Sequence, residues 1–351
     1  TRTIHIHEAG HPVPDEAGVL GTQKIAQLLN TATYQDLVIC LISGGGSALL
    51  PAPATGITLQ QKQAVTKLLL NCGATINEIN TIRKHISSMK GGQLARVASP
   101  ATLVTLILSD VIGDPLDTIA SGPTVPDSQT FTDCLDILKK YDIEAQIPAP
   151  VLQRLQQGAR GTIEDTPKAG DPLFANTQNL VIASNALAAK AAAEKARELH
   201  YHTMLLSTFV EGETREVAKV HTAILKEILH SEQPLPVPAC IISGGETTVS
   251  IHGSGLGGRN QEFVLAAVRE IDGLNNVVIL SAGTDGTDGP TDAAGAIADG
   301  ETEQRARAQS LDPHAFLKNN DSYHFFEALG DLIKTGPTNT NVMDLRILLA
   351  G

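Results

Sequence analysis

Short apolar runs of β character alternate with helical patterns along the whole chain, and polar, glycine-rich turns stand at the carboxyl ends of those runs. That alternation predicts an α/β fold built on parallel sheets covered by helices. Its clearest expression is the tripeptide Ser-Gly-Gly, which occurs twice. Leu37 to Ile42 runs into Ser43-Gly44-Gly45-Gly46-Ser47, and Ala239 to Ile242 runs into Ser243-Gly244-Gly245-Glu246-Thr247. Glycine lets consecutive backbone N–H groups converge on an anion, because no Cβ blocks the approach or the positive φ it requires. After the first turn a helix is expected, whose N-terminus adds unpaired donors and the positive end of its dipole. Two such turns predict a ligand with phosphate or carboxylate groups, held between two lobes.

The 351 residues give room for two α/β domains, each with its own core. Composition is that of a soluble globular protein, 42% hydrophobic and 18% charged. No apolar stretch approaches the roughly 20 residues that span a bilayer. A net charge of −12 argues against nucleic-acid and anionic-membrane partners, which select basic surfaces. An anionic ligand must then be met by local donors and a few placed cations. Cys40, Cys72, Cys134 and Cys240 are scattered without a C-x-x-C pair, so the expectation is a reducing cytoplasm with neither disulfides nor zinc. The chain opens at Thr1 without a methionine or signal-peptide pattern, and the natural protein is expected to start earlier.

Helices are expected over Asp15 to Leu29, after Thr58 with Gln61 completing a capping box, and over Thr132 to Lys140. Leu103 to Leu108 is the next strand. Residues 148–172 are a loop excursion around one short helix. A compact β-α-β unit is expected over residues 180–206, followed by an amphipathic helix from Glu213 to His230. The proline-rich stretch 231–238 looks like an interdomain linker, which divides the chain into 1–236 and 237–351.

In open parallel sheets, ligands bind beyond the carboxyl ends of the strands, and the polar motifs cluster there. One strand leads to Ser109-Asp110. Another leads to a loop holding Asp285, Asp288 and Asp292 among Gly283, Gly286 and Gly289, suited to magnesium ligation or proton abstraction or, failing that, to capping its own turn. Arg83 and Lys90, seven apart, share a face if the segment is helical, and Lys90 beside Gly91-Gly92 can present its ammonium to a phosphate. His85 is expected to be structural. Gly253 to Gly258 fits G-x-G-x-x-G, but no carboxylate follows about 20 residues on, so the dinucleotide fingerprint fails. Arg259 directly follows this loop, where a guanidinium can clamp phosphoryl oxygens. Walker A and kinase-type signatures and a G-x-S-x-G elbow are absent from the sequence.

The runs His11-Pro12-Val13-Pro14-Asp15, Ser43 to Leu49, Lys90-Gly91-Gly92, Leu108 to Asp114 and Ile119 to Thr124 resemble the first domain of the glycerate 2-kinases. Ser243 to Thr248, Gly257 to Glu262, Thr284 to Asp292 and Thr340-Asn341-Val342 resemble that family's C-terminal MOFRL domain. The resemblance covers nearly the whole chain. It implies a Rossmann-like, three-layer parallel-sheet domain followed by a smaller mixed-sheet domain, with the active site in the cleft between them. It also implies ATP-dependent phosphorylation of D-glycerate at its 2-hydroxyl, with Mg²⁺ as cofactor. A family segment carrying a glycine-lysine motif precedes the point where this sequence begins.

On that basis the candidate catalytic residues are Arg259, Asp285 and Lys90. Candidate substrate and phosphate contacts are Ser43, Gly44, Gly45, Gly46, Ser47, Ser243, Gly244, Gly245, Glu246, Asn260 and Asp288. Asp110 and Asp285 are the candidate metal ligands. A homo-oligomer is compatible with the sequence but is not read from it. The rival expectations are an NAD(P)H-dependent hydroxypyruvate reductase and a non-catalytic anion-binding module.

Overall fold

The structure, a computed structural model, describes residues 3–351, so the expectation attached to Thr1 lies outside the described residues. The chain forms two compact units of nearly equal length, one of Thr1–Ile107 with Asp114–Ile182 and the other of Leu108–Gly113 with Ala183–Gly351.

The first unit is built on β1 (Leu37–Ile42), β2 (Thr102–Leu108) and β3 (Thr177–Ala183), side by side in that order. β1 and β2 run parallel, with Leu37 opposite Thr102 and Ile42 opposite Ile107. Val38 and Cys40 pack on a core with Leu29, Leu94, Ala95, Ala98 and Leu103. The intervening residues Leu37, Ile39 and Leu41 are 59, 59 and 74% exposed, so helices among the described residues cover one face of β1 and not the other. A separate helical core surrounds Val65, Leu69, Ile82, Phe131, Leu138 and Leu155. Three of its helices, Leu59–Asn71, Ile76–His85 and Phe131–Lys140, begin with full capping boxes at Thr58, Thr75 and Thr130. Each box satisfies otherwise orphaned N–H groups at a helix start.

The second unit holds a mixed sheet of β4 (His202–Val210), β5 (Ala239–Gly245), β6 (Val277–Gly283), β7 (Gly295–Asp299), β8 (Leu332–Ile333) and β9 (Asp344–Ala350). Its spatial order is β4-β5-β9-β6-β7-β8. Only β4 and β5 are parallel; the other neighbours are antiparallel.

Three local expectations need correction. The β-α-β unit over residues 180–206 does not form, because β3 belongs to the first sheet and β4 to the second. The parallel crossover is instead β4, helix Thr214–Ser231 and β5. Residues 231–238 consequently join a helix to a strand within one unit, and the units divide at 182/183 instead of 236/237. Thr247 to His252 reads as a strand by its alternation, yet only a single bridge, Thr248 to Glu213, forms there.

Candidate functional site

In the first unit the chain leaves β1 at Ser43 and turns through Gly45, whose φ of +78° an L side chain rarely adopts, into the short helix Gly46–Leu49. Ser47 Oγ lies 2.9 Å from Ser121 Oγ. Ser121 belongs to three consecutive left-handed residues, Ala120, Ser121 and Gly122, with φ of 51°, 63° and 58°. Non-glycine residues hold that conformation only when their surroundings impose it. Here the imposition is visible: the N–H groups of Gly91 and Gly92 donate to Ser121 O and Gly122 O at 2.9 and 2.7 Å. The Lys90-Gly91-Gly92 motif and the Ser121-Gly122 turn are thus one built structure, tied to the glycine loop through Ser47.

Lys90 is 1% exposed, and among the described residues its Nζ reaches only Ala120 O, at 3.4 Å. It lines a cavity of about 650 Å³ together with Lys62, Arg83, His11, Gly45 and Ser47. The helix Ile76–His85 ends before Lys90, so Arg83 and Lys90 do not share one helical face, although both line the cavity. Lys84 turns away, 3.2 Å from Asp127, and His85 is buried between Thr81 O and Asp165 Oδ1 as a structural residue. Burial, reinforced by repulsion from Lys62 and Arg83, holds the Lys90 ammonium well below its usual range.

In the second unit, Ser243, Gly244 and Gly245 are not a turn. They complete β5, paired with β4 on one side and β9 on the other, and every residue of β5 is buried. Ser243 Oγ bonds His221 Nε2 at 2.8 Å. A Cβ on Gly244 would stand 1.7 Å from Asn185 Oδ1, so close packing of the strand requires this glycine.

Arg259 opens the helix Arg259–Val268, and its guanidinium is oriented by two carboxylates. Nε and Nη2 donate to Asp344 at 2.7 and 3.1 Å, and Nη1 donates to Glu246 at 2.6 Å. Burial lowers the Arg259 pKa, but the Asp344 and Glu246 carboxylates outweigh it and the group is raised overall. Two of its five N–H donors remain for a ligand, on a side chain 33% exposed. Asn260 Nδ2 donates to Asp288 and Asp344, and its Oδ1 accepts from Ser281.

The acidic loop divides its carboxylates among three tasks. Asp288 accepts from the Asn260 and Gln261 N–H groups at 3.0 and 2.8 Å, so it fills the helix N-terminus that follows the glycine loop. Burial pushes its carboxyl up to about 6. Asp292 holds Tyr323 and Lys334. Asp285 is half-buried and accepts the Thr287 N–H at 3.0 Å, while Asp110 is half-buried at the exit of β2. No cluster of three metal-ligating side chains occurs among the described residues.

The G-x-G-x-x-G loop offers little to a pyrophosphate. The amides of Gly253, Ser254, Gly255 and Leu256 donate to Asn320, Asn319 and Asp321. Two participants carried no motif. Lys62 stands on the buried stripe Leu59, Lys62, Val65, Leu69 of its helix, and a lysine at an apolar position was its one visible signal. Asp344, fully buried at the start of β9, carried none.

The family model described as "Domain of unknown function (DUF4147)" matches residues 1–156, and that of the MOFRL family matches residues 239–344. A protein of Thermotoga maritima named D-glycerate 2-kinase is 44% identical over 98% of this chain and 79% of its own length. A crystal structure of glycerate kinase from that organism superposes with a TM-score of 0.93 at 43% identity, covering 100% of this chain and 82% of that one. A relative from Agrobacterium vitis, 45% identical over 99% of this chain and 78% of its own, carries the provisional name of a hydroxypyruvate reductase.

Proposed function

This chain belongs to the glycerate kinase family, and we propose that it catalyses ATP-dependent phosphorylation of D-glycerate at the 2-hydroxyl, giving 2-phosphoglycerate and ADP. The observation that carries this reading is 44% identity to a D-glycerate 2-kinase along nearly the whole chain. The geometry supports it through two groups suited to moving a phosphoryl group: buried cations around the Gly45 loop, and an arginine pre-oriented by Asp344.

In this reading the 2-hydroxyl oxygen attacks the γ-phosphorus as the bond to ADP breaks, and positioning and electrostatics do most of the catalysis. Arg259 stabilises charge on the transferring group, and Lys90 offers its amine to phosphate oxygens. Asp285, whose second carboxylate oxygen is not used by Thr287, accepts the hydroxyl proton. Asp288 and Asn260 act by holding the first turn of the arginine's helix. Asp110 or Asp285 would hold a Mg²⁺ ion, which would neutralise phosphate charge.

A coupled ADP-release assay with D-glycerate, with the product identified by ³¹P NMR, tests the reading; no glycerate-dependent ADP would overturn it. Arg259→Ala should lower kcat roughly 10²–10³-fold while changing substrate binding little. The reductase name of the Agrobacterium vitis relative calls for an NADH titration with hydroxypyruvate, and the occupied amides of the 253–256 loop lead us to expect no oxidation.

A further inference from the structure

The cavity beside Gly45 holds an imbalance of charge. Lys62, Arg83 and Lys90 all line it, and among the described residues no aspartate or glutamate does. Lys62 is 5% exposed and, among the described residues, its Nζ has no hydrogen-bond partner. A buried ammonium without a partner is destabilising, and an amine in a built cavity persists when a ligand supplies the counter-charge. We propose that this cavity binds the phosphate chain of the nucleotide donor, with Lys62 and Arg83 as binding residues beside Lys90. The inference rests on the phosphoryl-transfer reading and adds to it the place of the nucleotide.

Charge and size favour this occupant over the acid substrate. The single carboxylate of a three-carbon acid would answer only one of the four basic side chains Lys62, Lys67, Arg83 and Lys90, whereas a polyphosphate carries several negative charges along a chain. A cavity of about 650 Å³ also exceeds what a three-carbon acid fills. Its remaining lining includes the apolar residues Pro12, Val13, Pro14, Pro51 and Leu70.

A proton should accompany binding. Burial, with repulsion from Arg83, holds the empty-site Lys62 pKa at about 7. The other titratable or charged groups lining the cavity are His11, Lys67, Arg83 and Lys90. A bound anion raises the Lys62 pKa, so the complex takes up a proton when formed at or above neutral pH, and affinity falls as pH climbs past 7.

The test is isothermal titration of ADP, adenosine and D-glycerate into wild type, Lys62→Met and Arg83→Gln, in buffers of differing ionisation enthalpy at pH 7.5. Loss of one charge-assisted contact should weaken ADP about 10- to 100-fold. Adenosine and glycerate affinities should stay within about twofold, and Lys62→Met should reduce the proton uptake, leaving the share taken up by Lys90. Lys62→Met removes an unpartnered buried amine, so it should melt no lower than wild type. Unchanged ADP affinity in both variants, or lost glycerate affinity with intact ADP affinity, would overturn the proposal. Failure of the kinase reading registers separately, as wild-type protein that binds ADP normally but releases none from ATP and glycerate.

Discussion

The two Ser-Gly-Gly segments share a tripeptide and an apolar approach, yet they end in opposite environments. Ser43-Gly44-Gly45 lies past the end of β1, where the chain bends through a left-handed glycine toward a cation-lined cavity. Ser243-Gly244-Gly245 stays inside β5, with its peptide groups within the ladders to β4 and β9. The difference does not arise within the tripeptide. Arg346, Leu345 and Asp344 lie opposite Ser243, Gly244 and Gly245, about a hundred residues away in sequence, and extend the strand through the glycines. A glycine-rich run after a strand is therefore an anion-binding candidate only where the neighbouring strands have already stopped.

The sharpest way to break this comparison is Gly244→Ala. Its methyl must displace Asn185, which is held by Val342 O and Asp344 O at 2.8 Å, so urea denaturation should show a loss of about 3 kcal/mol. A loss below about 1 kcal/mol would mean that β5 tolerates a side chain there and that the strand assignment is unsound.

A pH series probes the same strand. Burial holds His221, bonded to Ser243, at about 4, below its unfolded value of 6.5. A depressed histidine lends stability above pH 6.5 that is lost as pH falls toward 4, because the unfolded chain binds the proton first. Between pH 7 and pH 5 wild type should lose about 2 kcal/mol more than His221→Gln, measured by denaturant midpoints. Equal pH dependence in the two proteins would place the imidazole in contact with water.

Gly45→Ala is the counterpart in the first unit. It forces a left-handed backbone onto alanine and brings a methyl 3.1 Å from the His11 ring, for a cost of about 1 kcal/mol. Its larger consequence should be weaker ADP binding, read by calorimetry; a stability loss matching that of Gly244→Ala would erase the contrast. Ser47→Ala, removing the hydroxyl contact with Ser121, should cost the least, about 0.5–1 kcal/mol in thermal or chemical unfolding.

Local chemistry was readable where it acts over a few residues. β1 and the Thr58–Gln61 capping box follow directly from apolar runs and spacing, as does the structural reading of His85. What the sequence hid were choices made by distant partners. Residues 177–183 and 202–210 look like one crossover, but their pairing partners, β2 and β5, lie in different sheets. The acidic loop displays its aspartates openly, while their division into cap, tether and open carboxylate depends on Gln261, Tyr323 and Lys334. Lys62 was hidden by its setting, since a single lysine in a helix of good propensity is ordinary until its Nζ is found dry. The motif singles out Arg259 but gives no sign of the buried Asp344 that orients its guanidinium.

The position of β9 bears on how the second unit assembles. It is the last strand in chain order, yet it stands third of six in the sheet, between β5 and β6. During synthesis the strands on either side must wait with open edges until residues 344–350 leave the ribosome, and the hydrophobic layer cannot close in vectorial fashion from its beginning. The seven-residue β9 is thus the keystone whose arrival converts two half-sheets into one.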